Sequence, residues 1–536
     1  MSHRADLSRR RTWIVGLALS LALMLGLGAI LLTTAAGAET TASWKLAGHD
    51  PANSRTQPLE KQITATNVAT LAPKWTLTTH GDVSATPTVY AGTVFFPDNG
   101  GYLNAVNAST GAVLWQDTMA SLDGGTHSRV SPAVYGGEVV VGNNVQGAGA
   151  HILAVNRHTG ALLWNTLVES HPAAIITGNP VVSGERVIVG VSSSEEGQAE
   201  QAGYACCTFR GSVVALNAKT GALLWKAYTV PPNNGPCTAS NPPSGCGYSG
   251  GAVWDTPAIG GGSVYVGSGN DYTVPDEAAS CEREAMEHRT SDAGCTAPND
   301  YFDSVIALSL KTGAIRWGRK MEGWDAYNLA CTTKPPGAWC PSGESPDFDF
   351  GGAGPNLLKL GTRTVVGIGQ KSGVYWALGA PHGELVWSKL VGPGTAEGGI
   401  QWGTAYDGTR IYVPIADPSR FSVPYTLANG ESDTGGSWAA LDPGTGGFDW
   451  QVATPGDAAA LGPASEADGV VYVGDMASAG PNMFALSAAT GTRLWSFAAE
   501  GSVNSAPAIV DGVLYWGSGY HTAGSHTFYA FSLGGR

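Results

Sequence analysis

Short apolar runs broken by glycine dominate the chain. Val139-Val140-Val141, Val187-Ile188-Val189, Val264-Tyr265-Val266 and Val471-Tyr472-Val473 are each too short for a helix. Clusters of Gly with Asn or Asp bound them, as hairpin turns require. One phrase recurs with these runs: a strand ending Ala-Leu or Ala-Val, then Thr-Gly-x-x-x-Trp. It stands at Thr110-Gly111 to Trp115, Thr159-Gly160 to Trp164, Thr220-Gly221 to Trp225, Thr312-Gly313 to Trp317, Thr445-Gly446 to Trp450 and Thr490-Gly491 to Trp495. His382-Gly383 to Trp387 is a degenerate copy, and Trp75, in Leu71-Ala72-Pro73-Lys74-Trp75, adds an eighth Trp without the Thr-Gly. Each copy has the length of one four-stranded antiparallel blade. The C-terminal run from Ala506-Pro507 to Phe531 has inner strands but no such phrase, so the N-terminal segment is expected to complete it. The pattern predicts an all-β fold over residues 39–536. It is a single eight-bladed β-propeller of four-stranded antiparallel blades, its ring closed by the N- and C-terminal segments. A Trp at one fixed place per blade is expected to pack between neighbouring blades.

The first 38 residues do not fit that pattern. Arg4, Arg9, Arg10 and Arg11 precede an almost unbroken apolar stretch from Trp13 to Leu32, and Ala36-Gly37-Ala38 follows. This reads as an export signal with a small-x-small cleavage site, and Arg10-Arg11 loosely fits the twin-arginine pattern. An uncleaved membrane anchor is the other reading. Both put residues 39–536 outside the cytoplasm, in the periplasm or beyond the cell. The eight Cys agree with that address, since an even count in an exported chain suggests disulfides. Nearest-neighbour pairing gives 206–207, 237–246, 281–295 and 331–340. Trp spacings run from 40 residues (Trp75 to Trp115) to 92 (Trp225 to Trp317), and the long intervals hold six of the Cys. Stapled loops on one face are expected.

Composition narrows the chemistry. Gly 75 and Pro 31 are too many breakers for a helical bundle, and Trp 17 too many for a disordered polymer. The net charge of −14 argues against a nucleic-acid partner. There is no CxxC for zinc, no CxxCH for a c-type haem, and no HExxH, Walker loop or GxGxxG opening a helix. Gly247-Tyr248-Ser249-Gly250-Gly251 matches G-x-S-x-G, but no helix follows it.

The repeat Ala215-Leu216-Asn217-Ala218 to Trp225 resembles that of pyrroloquinoline quinone (PQQ) dependent alcohol dehydrogenases. Trp44, Gly48, Asp50 and Asn53-Ser54-Arg55 resemble the start of that family. Cys206-Cys207-Thr208-Phe209-Arg210-Gly211, Gly247-Tyr248-Ser249-Gly250 and Asp347-Phe348-Asp349-Phe350-Gly351 are most similar to polyvinyl-alcohol dehydrogenases. The resemblance implies an oxidoreductase that uses PQQ and Ca²⁺ to oxidise alcohols, secondary and polymeric ones included. Lacking a haem motif, the chain would pass electrons to a separate acceptor such as a cytochrome c.

The resemblance also implies a site. Ser192 resembles a PQQ-contacting Ser and Glu195 the calcium-ligating Glu, with Glu196 as the alternative. Trp254 resembles the Trp that stacks on the quinone, and Asn270 the calcium-ligating Asn. Arg129 and Lys371 resemble cofactor clamps, and Trp402 a further pocket contact. In Gly323-Trp324-Asp325-Ala326-Tyr327-Asn328, matching Trp-Asp makes Asp325 the catalytic base and a third calcium ligand. A wider match puts Asn328 there, and Asn accepts no proton at useful pH. Tyr327 stands where lanthanide-using relatives carry a second Asp, which favours calcium. Cys206 and Cys207 resemble a vicinal pair held against the cofactor, although the family's pair lies in an earlier blade. The same repeat occurs in non-enzymatic scaffold propellers of envelope assembly, and a polymer-binding propeller with an empty pocket is a further alternative.

Overall fold

The computed structural model describes residues 42–145, 147–233, 235, 247–288, 290–291, 294–321, 323–333, 340–341, 347–418, 423–520 and 526–536. The chain divides into Met1–Thr41 and Ala42–Arg536, and the first unit, with the expected signal or anchor, lies outside the described residues. Among the described residues no helix is long and apolar enough to cross a membrane.

Ala42–Arg536 carries eight antiparallel blades, seven of four strands and the third of five, with the short strand Ala174–Ile175 added. In the first blade the strands are Thr88–Tyr90, Thr93–Pro97, Tyr102–Asn107 and Val113–Thr118. Blades two to seven repeat that order, and first strands of neighbouring blades touch around the central axis. The eighth joins Ala508–Val510, Val513–Gly517 and Thr527–Leu533 to an outer strand from the other end of the chain, Leu71–Thr78. Leu71 faces Leu533 and Thr78 faces Thr527, so the two ends of the domain lock the ring.

The recurring phrase has a specific mechanical use. Asn107 Oδ1 accepts from Ser109 N, Thr110 N and Thr110 Oγ1, which sets the turn between the third and fourth strands. Asn217 and Asp442 do the same at their blades. The following Gly adopts positive φ, as at Gly446 (φ 72°), and a Cβ there would lie 2.6 Å from the Trp387 ring of the preceding blade. Glycine is therefore required twice over, for the turn and for the ring above it. Each Trp also donates its indole N–H to the next blade: Trp115 to Arg157 O, Trp317 to Ala380 O, and finally Trp495 to Leu71 O across the closure. A bulge just before the Trp turns two successive residues outward. That explains the exposed pairs Val113-Leu114, Leu162-Leu163 and Leu223-Leu224.

Residues 44–57 cross one end of the central channel. Their backbone exchanges hydrogen bonds with Val89, Val134, Ile259, Tyr406 and Glu466, residues of five different blades. Asn53 and Asn356 add side-chain links across a sixth, and Gln57 donates to Ile509 O of the eighth. This segment plugs that end and leaves the opposite face to the long loops. Three of the expected disulfides are present there, Cys206–Cys207 (with a cis peptide), Cys281–Cys295 and Cys331–Cys340. The fourth pair, 237 and 246, lies outside the described residues.

Candidate active site

Two positions in each blade reach the axis on the loop-bearing face: the segment entering the first strand and the segment leaving the second. Arg129, Trp254, Trp402 and Leu461 occupy the former. Ser192, Asn270, Lys371, Met476 and Tyr520 occupy the latter. All nine line one cavity of about 700 Å³, a volume typical of a cofactor pocket.

Its walls differ in character. One side is aromatic and cationic. Trp402 meets Trp254 edge-to-face at 5.2 Å between centroids. The Arg129 guanidinium lies 4.6 Å over the Trp402 ring, and Lys371 Nζ lies 5.4 Å from the Trp254 centroid. Gly351 and Gly352 make room for this pair; a Cβ on Gly352 would come within 2.2 Å of the Trp402 ring. The other side, with Pro418, Ala459, Leu461 and Met476, is apolar.

Below the aromatic wall sits a group of acids. Lys371 Nζ is 3.1 Å and 3.2 Å from the two Asp347 oxygens and 3.2 Å from Asp349 Oδ1. The paired carboxylates hold its ammonium above the usual lysine range against the opposing effect of burial. Glu196, on the cavity wall, is pushed up to about 7 by burial; Lys371 opposes this, while Asp349 and Asp325 reinforce it. Asp347 and Asp349 are likewise raised, by burial first. Asp347 and Asp349 thus share one ammonium in a space shielded from water, with Glu196 close enough to feel it and Asp325 nearby, a group that favours a further cation.

Oxygen ligands face the cavity nearby. Asn270 donates both amide hydrogens to backbone, to Asp271 O at 3.0 Å and Tyr327 O at 2.8 Å, leaving Oδ1 as the atom open to a cation. Ser192 Oγ lies 2.7 Å from Thr177 Oγ1 and 3.1 Å from Ile175 O. Among the described residues no group of three or more His, Cys, Asp or Glu side chains is poised to hold a metal ion. The donor set at the cavity is Glu196 with the Asn270 amide.

The other sequence candidates sit behind the wall. Glu195 is fully buried, and its carboxylate accepts from Tyr204 Oη (2.9 Å), Thr208 N (2.9 and 3.0 Å) and Phe209 N (2.7 Å). Glu195 and Glu196 open a single helical turn, Glu195–Gln198, where adjacent side chains diverge, so one turns inward and its neighbour to the cavity. The cavity-facing acid is Glu196, the alternative, and not Glu195. Cys206 and Cys207 are fully buried in the core with Phe209 and Tyr272; it is Tyr272 that reaches the cavity. Asp325 is also fully buried, and its Oδ2 accepts from Phe348 N at 2.6 Å. Asn328 Nδ2 donates to Tyr272 O and its Oδ1 accepts from Ala330 N, a helix-capping arrangement. Sequence reading gave no role to Asp347 or Asp349 beyond their motif; their pairing with Lys371, 24 and 22 residues onward, arises only in the folded ring.

A sequence profile for the family described as outer membrane protein assembly factor BamB matches residues 57–206 and 434–534. The unmatched stretch between them holds Trp254, Asn270, Asp325, Lys371 and Trp402, so the match covers repeat and not site. A polyvinylalcohol dehydrogenase from Pseudomonas sp is 31% identical over 523 residues, covering 93% of this chain and 76% of the relative. A polyvinylalcohol dehydrogenase from Sphingopyxis sp. (strain 113P3) is 30% identical, covering 72% of this chain and 55% of the relative, so the alignment spans about half of that protein. Among solved structures, a quinohemoprotein alcohol dehydrogenase from Pseudomonas putida HK5 superposes with a TM-score of 0.70 at 20% identity, covering 92% of this chain and 80% of that one, a likeness of fold. With near-complete coverage at 31% identity and the propeller in place, the chain belongs to the polyvinyl-alcohol dehydrogenase family of PQQ-dependent alcohol dehydrogenases.

Proposed function

We propose that this protein is an exported quinoprotein dehydrogenase that oxidises secondary alcohols, polymeric ones such as polyvinyl alcohol included. It would use PQQ and Ca²⁺ and pass electrons to a separate acceptor, a cytochrome c. The observation that carries this reading is the cavity itself. It combines an indole wall, the cations Arg129 and Lys371, and an oxygen-only donor pair, Glu196 and Asn270, beside a surplus of carboxylates. A flat tricarboxylated quinone needs the first two, and a hard divalent cation suits the third.

The residues present therefore fit the cofactor pair. Trp254 would support the flat face of the quinone. Arg129 and Lys371 would hold its carboxylates, with Ser192 and Trp402 at the rim. Glu196 and Asn270 Oδ1 would hold Ca²⁺, with Asp325 adding charge from behind. When bound, PQQ supplies the hydride acceptor and the ion polarises its reactive carbonyl. The chain's own work is to orient the alcohol against the apolar wall of Pro418, Leu461 and Met476, to exclude water, and to take the hydroxyl proton. We assign the last task to Asp325 on the Trp-Asp match of the sequence, since the Asn328 amide accepts no proton at useful pH; the role requires that its carboxylate, buried behind the wall, be reached through the wall when the cavity is filled. Vicinal Cys206–Cys207 is assigned a supporting place in the core behind the cavity.

The test is Asp325→Ala, measured for quinone binding and for dye-linked oxidation of simple secondary alcohols. Retained binding with turnover lowered by at least about 10²-fold supports the assignment. Unchanged turnover removes Asp325 from the mechanism. A scaffold or an empty polymer-binding propeller predicts no turnover in the parent chain.

A further inference from the structure

Beneath the aromatic wall lies a second, smaller pocket of about 30 Å³, lined by Arg55, Arg129, Ser131, Asn179, Trp402 and Asn504 among others. It holds an electrostatic anomaly. Arg55 belongs to the segment that plugs the channel and is only 2% exposed. Among the described residues no carboxylate lies within ion-pairing distance of it. Among the described residues its one hydrogen bond is a long one, 3.4 Å from Nη1 to Ala47 O, and its Nε has no partner. Burial lowers its pKa to about 10 with no acid opposing the shift. Arg129, on the same pocket, has aromatic partners among the described residues: the Trp402 face, the Tyr520 ring, and the Tyr520 hydroxyl at 3.4 Å. Two guanidiniums thus face a space that fits one small group. Uncompensated buried charge is among the costliest arrangements a fold can keep, and a guanidinium offers five donors for an anion.

We propose that this pocket is an anion site that takes one monovalent group, a halide ion or a single carboxylate, held between Arg55 and Arg129. The site is built from residues of the fold alone and needs no quinone, so the proposal stands apart from the dehydrogenase reading. The chemistry has two sources: free chloride, or a carboxylate reaching down from the main cavity, with which the pocket shares Arg129, Thr177 and Trp402. The volume exceeds what one water needs and suits an ion of chloride size.

The test uses the full, quinone-free chain in sodium bromide, with Arg55→Met in the same salt as control. Crystals at the bromine edge are expected to show an anomalous peak between Arg55 and Arg129, and the rise of Tm with added bromide to be larger in the parent than in the variant by on the order of 2 °C. Arg55→Met abolishes the peak. Should that variant fail to fold, Arg55→Lys keeps a cation and is expected to retain a weakened peak. Saturation with PQQ then separates the sources: loss of the peak assigns the pocket to a quinone carboxylate, and persistence assigns it to free halide. No peak at the pocket, or bromide peaks on the outer surface only, overturns the proposal whether or not the protein oxidises alcohols.

Discussion

Glu195 and Glu196 are neighbours with opposite duties, and exchanging each for Gln separates them. At Glu195 the carboxylate takes four contacts from three donors, Tyr204 Oη and the Thr208 and Phe209 amides. A Gln retains one acceptor oxygen and turns an NH₂ toward N–H groups. One charge-assisted bond is lost and at least one buried N–H is orphaned, together about 3 kcal/mol. Glu195→Gln is therefore expected to lower Tm by on the order of 5 °C. At Glu196 the balance reverses. The folded chain keeps its proton to about pH 7, while the unfolded chain releases it near 4.5. Ionising it costs the metal-free fold nothing below 4.5, a growing amount up to 7, and a constant amount of about 3 kcal/mol above. Glu196→Gln is expected to stabilise the metal-free protein at pH 8, not at pH 4.5, and to weaken Ca²⁺ binding by about 10–100-fold. Calorimetric unfolding at the two pH values and titration of Ca²⁺ into metal-free protein measure both. Normal Ca²⁺ affinity in Glu196→Gln, with affinity lost in a fully stable Glu195→Gln, would refute the reasoning.

Gly446→Ala combines a positive φ with a Cβ driven to 2.6 Å from Trp387, so thermal unfolding should show a loss on the order of 2 kcal/mol. Asp255, pushed up to about 8 by burial, accepts from Gly267 N through Oδ2, while its Oδ1 has no partner. The folded chain keeps that proton far above the unfolded value, so its cost grows from about pH 4 to 8. Asp255→Asn should leave stability near wild type at pH 4 and raise it at pH 8, by on the order of 1–3 kcal/mol in urea unfolding.

The architecture was legible because its signals are local and repeated. The Thr-Gly closes a turn, the Gly clears a ring, and the Trp four residues after each Gly is that ring for the following blade; six copies agree, so the seventh, with His382 in place of Thr, changes nothing. Even the closure followed from one blade lacking its outer phrase. The site was legible as a set of residue types, since Arg129, Ser192, Trp254, Asn270, Lys371 and Trp402 all meet at one cavity. Which of two adjacent Glu faces that cavity was not, because a rotation within a single helical turn decides it and both residues carry the same group. The burial of Cys206–Cys207 in the core, and the clamp of Asp347 and Asp349 on Lys371, depend on loops from different blades meeting in the folded ring. No spacing along the chain encodes such meetings.

Reconstitution tests the central claim most directly. Protein freed of cofactor is given PQQ with and without Ca²⁺, then assayed for dye reduction by simple secondary alcohols. The account predicts tight, Ca²⁺-dependent quinone binding and turnover that appears only with both. Absence of quinone binding at any Ca²⁺ concentration would contradict it and leave a propeller whose cavity serves another ligand.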